Sequence, residues 1–387
     1  MATFQNKSDF DILDVGVVFG TFAPMHRGHL DLIMEAKKLH KHVAVVVCGY
    51  DNDRGEEVNL PLDLRVQYAR ELFENDEIIH VLRISDTELG LDESMSDSNW
   101  DIWVNAVMEG IRKSFKYPVG PVDVTWYVSE SEYVKQLNKE RLGVFASTAV
   151  LHVRTDISGT LCREHPHSYW RNIAKPFRRP FTKKILITGT ASEVKSALVK
   201  DIATYFVMPY TVERGRDSCR FMTDDQFDSK VFIHNIYEQN LAINDAISSP
   251  GNNGYIISDT DNFVTLMYAM HYMQRKDFAL HDDPDIIYLI RDMIKRYKEE
   301  NTWDYIFVTT PHLPFVDDGT RWMPDGDINI RQSFFDTLIS FYEQSKAEFI
   351  PLNGSYYENF ITVKERIEKD MEESSLMSKN NIQNIRR

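Results

Sequence analysis

The sequence predicts an α/β protein of two domains, each built on a parallel sheet. Three observations lead there. Short apolar runs alternate with helical runs along the chain, a basic and proline-bearing stretch interrupts them near the middle, and 387 residues suffice for about two to three domains. A hydrophobic content of 43% supports packed cores rather than disorder.

In chain order, VGVVF (15–19) is the first β run, Leu30–Leu39 has helical spacing, and HVAVVVC (42–48) is a near-continuous apolar strand. Leu62–Phe73 is helical, IIHVLRI (78–84) is β, Trp100–Phe115 is helical and VDVTWYV (122–128) is β again. Strands alternating with helices argue for a parallel sheet covered on both faces. KPFRRPFTKK (175–184) carries two prolines and five basic residues, a linker composition. A second series follows, with strands at Ile185–Thr188, Tyr255–Ser258, Tyr305–Thr309 and Phe349–Leu352. Its helices fall at Lys195–Phe206, Phe227–Ile247, Phe334–Gln344 and Tyr357–Met371. The expected domains are therefore 1–174 and 185–372, joined by a linker over 175–184, with a polar, flexible tail over 373–387.

A formal net charge of -15 argues against a general basic face for duplex nucleic acid, while leaving room for local phosphate pockets. Cys48, Cys162 and Cys219 are far apart, without paired metal-ligand spacing, and reduced thiols are expected. The N-terminal MATFQNKSDF lacks an apolar signal core and no run reaches a membrane span, so a cytoplasmic protein without membrane partners is expected.

GTFAPMHRGH (20–29) lies between the first strand and the first helix. His26 and His29, three residues apart at a helix start, can both face one phosphate, where unpaired N–H groups and the helix dipole add positive character. Gly20 and Gly28 let the backbone approach a nucleotide. The competing reading, a surface turn with two histidines, does not explain Gly20, Phe22 and Pro24 in front of them. The stretch resembles the G-x-F-x-P-x-H-x-G-H signature of the nucleotidyltransferase superfamily. ISGTLCR (157–163) is similar to that superfamily's late phosphate-holding element, with Cys162 at a usually aliphatic position. The resemblance implies a Rossmann-like nucleotidyltransferase domain. It casts His26, His29 and Arg163 as catalytic, with Gly20, Thr21, Phe22, Gly28, Ser158 and Thr160 binding the nucleotide.

GTASEVKS (189–196) follows the strand-like KKILIT and precedes a helical run. It keeps Gly189, Lys195 and Ser196 of the phosphate-loop pattern G-x-x-x-x-G-K-[ST]. Together the two halves resemble the NadR family of bifunctional nicotinamide-mononucleotide adenylyltransferases and ribosylnicotinamide kinases. HPHSYWRNIAKPFRRPF (165–181) resembles that family's linker. VERGRD (212–217), SDTDNFVT (258–265) and PFVDDGTR (314–321) resemble its kinase segments. Longer members carry a DNA-binding helix-turn-helix; about a dozen residues before the first strand leave no room for one, so repressor activity is not expected.

The resemblance implies that nicotinamide mononucleotide (NMN) attacks the α-phosphorus of ATP, giving NAD and pyrophosphate, with Mg2+ bridging phosphate oxygens. Its partners are small-molecule nucleotides, and a homo-oligomer is left open. Trp100 and Trp103 are candidates to stack on the cationic nicotinamide ring, against a competing reading as core anchors. Arg54 and Arg65 are candidate phosphate contacts, though surface arginines are common. In the second, P-loop-kinase-like domain, the resemblance assigns phosphate or substrate roles to Gly189, Lys195, Ser196, Glu213, Arg216, Asp259, Asp261 and Arg321. Ser196 and Asp259 are the metal candidates, and Asp259 and Asp261 each also read as a strand-end acid capping the next helix.

Val194 stands where the pattern has glycine, and a β-branched residue is costly there if φ is positive. Glu193 adds a negative charge near the expected phosphates. Two readings follow: an active kinase with a displaced loop, or a weak or inactive domain that keeps its fold. For the whole chain, a transferase for another phosphorylated acceptor such as phosphopantetheine, and a non-catalytic sensor of NAD precursors, stand as alternatives.

Overall fold

Strand β2 (His42–Gly49) shows why the first sheet forms. Val43, Val45 and Val47 enter one core and Ala44 and Val46 the opposite one, all five fully buried. Helices on both faces of the sheet therefore demand an apolar residue at every position. In the computed structural model the chain divides into two units, Met1–Phe181 and Thr182–Arg387. The described residues are 12–92, 96–139, 144–152, 156–190, 193–216, 229–273, 303–312, 328–343 and 348–385, with a few positions between 285 and 296.

The first unit runs β1 (Leu13–Gly20), α1 (Arg27–Leu39), β2, α2 (Leu62–Leu72), β3 (Ile79–Ser85), α3 (Asp97–Ser114), β4 (Val122–Val128), α4 (Ser131–Leu137), β5 (Val144–Leu151) and α5 (Gly159–Glu164). Its five strands are ordered β3-β2-β1-β4-β5, every pairing parallel. After β3 the chain returns to the other side of β1. The crevice between β1 and β4 is therefore the point where the strand order reverses, the usual ligand position in such sheets.

The second unit contains β6 (Lys183–Gly189), α6 (Lys195–Phe206), β7 (Tyr210–Thr211), α7 (Ser229–Ser248), β8 (Tyr255–Asp259), α8 (Asn262–Met273), β9 (Tyr305–Thr309), α9 (Ile328–Tyr342), β10 (Glu348–Leu352) and α10 (Tyr356–Ile385). The order is β10-β9-β6-β8-β7, again all parallel. Central β6 sends Ile185 and Ile187 into the core with α6 and Leu186 into the opposite one.

Three expectations change. The linker segment is folded: Lys175–Phe181 is a 3-10 helix whose Pro176 and Phe177 are buried, and Phe177 joins the first unit's core. Lys183 and Lys184 already belong to β6. The expected tail over 373–387 is instead helical as far as Ile385, because α10 continues past Met371. Strand β5, the short helix α4 and the apolar α8 were not anticipated. β5 is an edge strand, VFASTAVL, in which apolar and polar residues alternate only weakly. Helices α1 and α3 start three residues before their apolar periodicity does, because polar first-turn residues follow the caps His26 and Ser96.

Candidate active site

Every site residue proposed for the first unit except Arg65 lines one cavity of about 830 Å³ at the carboxyl edge of the sheet. Gly20, Thr21 and Phe22 come from the end of β1, and His26, Gly28 and His29 from the start of α1. Trp100 and Trp103 come from α3, and Ser158, Thr160 and Arg163 from α5 and its cap.

His26 is the N-cap of α1 in extended conformation, and its amide donates to His29 Nδ1 at 3.2 Å. A ring nitrogen that accepts carries no proton, so the neutral His29 ring holds its hydrogen on Nε2, which becomes a donor. The two imidazoles stack at 3.8 Å, and the edge of Phe22 meets the His29 ring at 4.9 Å. Burial lowers the His26 pKa to about 4, helped by the Arg163 charge. Burial and His26 hold His29 well below its ordinary value. Both are therefore uncharged donors at neutral pH rather than proton carriers.

Arg163 is oriented through Nη1 to the Ala23 carbonyl at 2.6 Å and Nη2 to Thr160 Oγ1 at 3.2 Å. Ser158 caps α5, accepting from the Leu161 amide at 3.2 Å. The segment read as a linker supports this loop: Ile173 bridges to His26, and the Ala174 amide donates to the Met25 carbonyl at 2.9 Å. Arg54 lines the cavity. Arg65 does not contribute a phosphate contact; it is fully buried, donating to the Thr21 carbonyl at 2.7 Å and to Asp53 Oδ2 at 2.8 Å. It ties the loop after β1 to the loop after β2.

Trp100 and Trp103 satisfy both competing readings. They are mostly buried in the α3 core yet line the cavity, and Trp100 packs on Tyr133 at 5.3 Å. Asp86, absent from the sequence-based list, lies beside them just past β3. Burial and then the Asp53 charge raise its pKa to about 6. Its Oδ1 has no hydrogen-bond partner among the described residues. A lone acid following a strand was the available signal.

In the second unit, Gly189 ends β6 with φ 138°, and a Cβ there would lie 2.2 Å from Thr309 Oγ1. Val194 has φ 56°, the left-handed conformation that the loop pattern reserves for glycine. Val194 itself takes this conformation and bears its strain. Lys195 is buried and its Nζ donates to the Thr190 carbonyl at 2.6 Å. Asp259, at the end of β8, is buried, and neither carboxylate oxygen meets normal hydrogen-bond geometry among the described residues. Burial and Glu213 raise its pKa against the opposing influence of Lys195, Ser196 and Arg216. Lys195, Ser196, Glu213, Arg216 and Asp259 thus share one locale, and an orphaned buried carboxylate beside a hydroxyl suits a hard cation.

Asp261 stands apart from this set. Its Oδ1 caps α8, accepting from the Phe263 and Val264 amides at 3.1 and 3.3 Å and from the Tyr342 hydroxyl at 2.8 Å. The helix-cap reading holds for it. Glu193 does not face open loop space, because it is buried and paired with Arg331. Arg321 lies outside the described residues.

A parallel-sheet nucleotidyltransferase domain followed by a P-loop domain is the class this fold defines. Residues 17–165 match the cytidylyltransferase-like family and residues 184–359 the AAA domain family. The chain is 25% identical over 367 residues to the trifunctional NAD biosynthesis/regulator protein NadR of Salmonella typhimurium, covering 89% of this chain and 80% of that protein. It is 26% identical over 369 residues to the same-named Escherichia coli K12 protein, with the same coverage. A crystal structure of a NadR protein in complex with NR is 29% identical, with TM-score 0.76, covering 91% of this chain and 96% of that one. Another, in complex with NAD and AMP-PNP, is 27% identical, with TM-score 0.73, covering 92% of this chain and 97% of that one. Over most of its length the chain is therefore similar to NadR proteins. Among the described residues no helix is long and apolar enough to cross a membrane.

Three outcomes are expected. In an NMR titration neither His26 nor His29 takes up a proton over roughly pH 5 to 8. The unfolded chain binds more protons than the folded one between the ordinary His26 value of 6.5 and about 4. Stability of the first domain therefore falls as pH is lowered through that window, and a His26→Gln variant shows a shallower fall in denaturant midpoint. Val194→Gly relieves the left-handed strain and raises second-domain stability by about 1 kcal/mol, read from thermal or urea unfolding.

Proposed function

We propose that the first domain transfers the adenylyl group of ATP to NMN, giving NAD and pyrophosphate. The observation that carries this is the convergence of His26, His29 and Arg163 at the start of α1, in a cavity that also holds Trp100 and Trp103. An oxygen of the NMN 5′-phosphate attacks the α-phosphorus, and the bond from that phosphorus to the bridging oxygen of pyrophosphate breaks. The nucleophile is already an anion, so no general base is needed and two neutral histidines suffice. Donation from His29 Nε2 and the Arg163 guanidinium stabilises charge on the α-phosphoryl oxygens as the pentavalent centre forms. The α1 N-terminus adds its dipole. Trp100 and Trp103 offer aromatic faces to the cationic ring, and the Asp86 carboxylate adds an opposite charge beside them.

The second domain is a ribosylnicotinamide-kinase-like module with weak phosphoryl transfer. Val194 keeps the loop shape at a cost, and Lys195 and Glu193 are engaged within the protein. Ser196 and Asp259 would hold a magnesium ion there, which when bound neutralises phosphate charge. The protein's partners are small-molecule nucleotides in the cytoplasm, with no nucleic acid or membrane among them.

Pyrophosphate release from ATP and NMN tests the reading directly. His29→Ala should lower kcat by roughly 10²–10³-fold, the scale for removing one transition-state donor. Release with phosphopantetheine in place of NMN, or none with either acceptor, would discard the assignment. Asp86, with its pKa near 6, supplies a pH test. Below that value it is protonated and loses its attraction for the cationic ring, so KM for NMN should rise as pH falls through 6, while in Asp86→Asn it stays flat.

A further inference from the structure

Glu193 places an acid where nucleotide loops receive phosphates, and the structure buries it. It sits in the turn between β6 and α6, two residues before Lys195, with its side chain fully shielded from solvent. Its Oε1 pairs with the Arg331 guanidinium of α9, itself buried, and His312 Nδ1, just past β9, lies 3.3 Å from Oε2. β6 and β9 pair side by side, and both of these turns emerge at the carboxyl edge of the sheet. That edge is where ligands of open parallel sheets bind. Asp259, buried with its carboxylate oxygens lacking normal hydrogen bonds, ends β8 at the same edge.

Burying a carboxylate and a guanidinium costs desolvation that only close pairing offsets. The planar fork of arginine accommodates a carboxylate or a phosphate with similar geometry. The two anions are therefore alternatives for Arg331. Lys195 is likewise turned inward, onto the Thr190 carbonyl.

We propose that Arg331, with His312 beside it, is the cationic arm of a site for the terminal phosphates of a nucleoside triphosphate in the second domain, and that Glu193 fills this site from within when no nucleotide is bound. Binding is then an exchange, in which phosphate takes the guanidinium and the Glu193 side chain leaves the turn for solvent. A buried acid at this position makes the domain a weak nucleotide binder without dismantling its fold. The inference is independent of adenylyl transfer in the first domain.

The test uses the full chain and Mg-ATP, reading hydrogen-exchange protection of loop 189–196 against ATP concentration. Thermal unfolding of the second domain serves as a control for folding. Glu193→Ser should lower the half-saturating ATP at least tenfold. Glu193→Ser combined with Arg331→Met, which leaves neither charge, should return it to the wild-type value or weaker. Wild-type protection at the same ATP as Glu193→Ser, a gain that survives in the double variant, or no protection in any variant overturns the proposal. Should Glu193→Ser fail to fold, Glu193→Gln preserves the shape and a hydrogen bond to Arg331. A shift of at least threefold then supports the exchange, and no shift overturns it.

Discussion

Parallel pairing of every strand is the constraint on which the molecule depends. In both units each strand ends at the same edge, so every following loop and helix start gathers there. In the first unit the order reverses between β1 and β4, which leaves a crevice rather than a continuous wall of helices. The signature loop after β1, the α5 cap after β5 and the tryptophans of α3 meet in that crevice although they are far apart in the chain. Alternating the strand directions would scatter them to opposite edges.

The first site works with neutral groups. Burial keeps His26 and His29 uncharged, and the cap hydrogen bond from the His26 amide decides which His29 nitrogen carries the hydrogen. Arg163 supplies the permanent charge and is aimed by a backbone carbonyl and Thr160. Such a set is organised before substrate arrives and spends little on reorganisation. In the second unit the comparable groups are turned onto the protein itself. Lys195 reaches Thr190, and Arg331 reaches Glu193. The two domains thus share an architecture and differ in whether their polar groups line a cavity or meet one another.

The motif positions were legible because sequence-local patterns carry them. A glycine-bounded strand end, a helix start and histidines three residues apart require only short-range geometry. Val194 illustrates the same point: its positive φ follows from the loop pattern, and the structure adopts it. Arg65, Asp261 and Glu193 were not legible in this way. An isolated arginine or acid reads alike whether it meets phosphate, caps a helix or forms an internal pair. The stretch 175–184 misled for a related reason, since prolines and basic residues suit both a linker and a short 3-10 helix packed on a core.

By itself the sequence determined the alternation of strands and helices, the two-domain α/β class and the two phosphate-directed loops. Each rests on periodicity and on conformational preferences within a few residues. Only the tertiary structure decided which charges face the cavity and which are consumed internally. His26 is bridged by Ile173, Arg65 by Thr21 and Asp53, and Glu193 by Arg331. These partners are distant in sequence, and burial makes each pairing obligatory once folding brings them together.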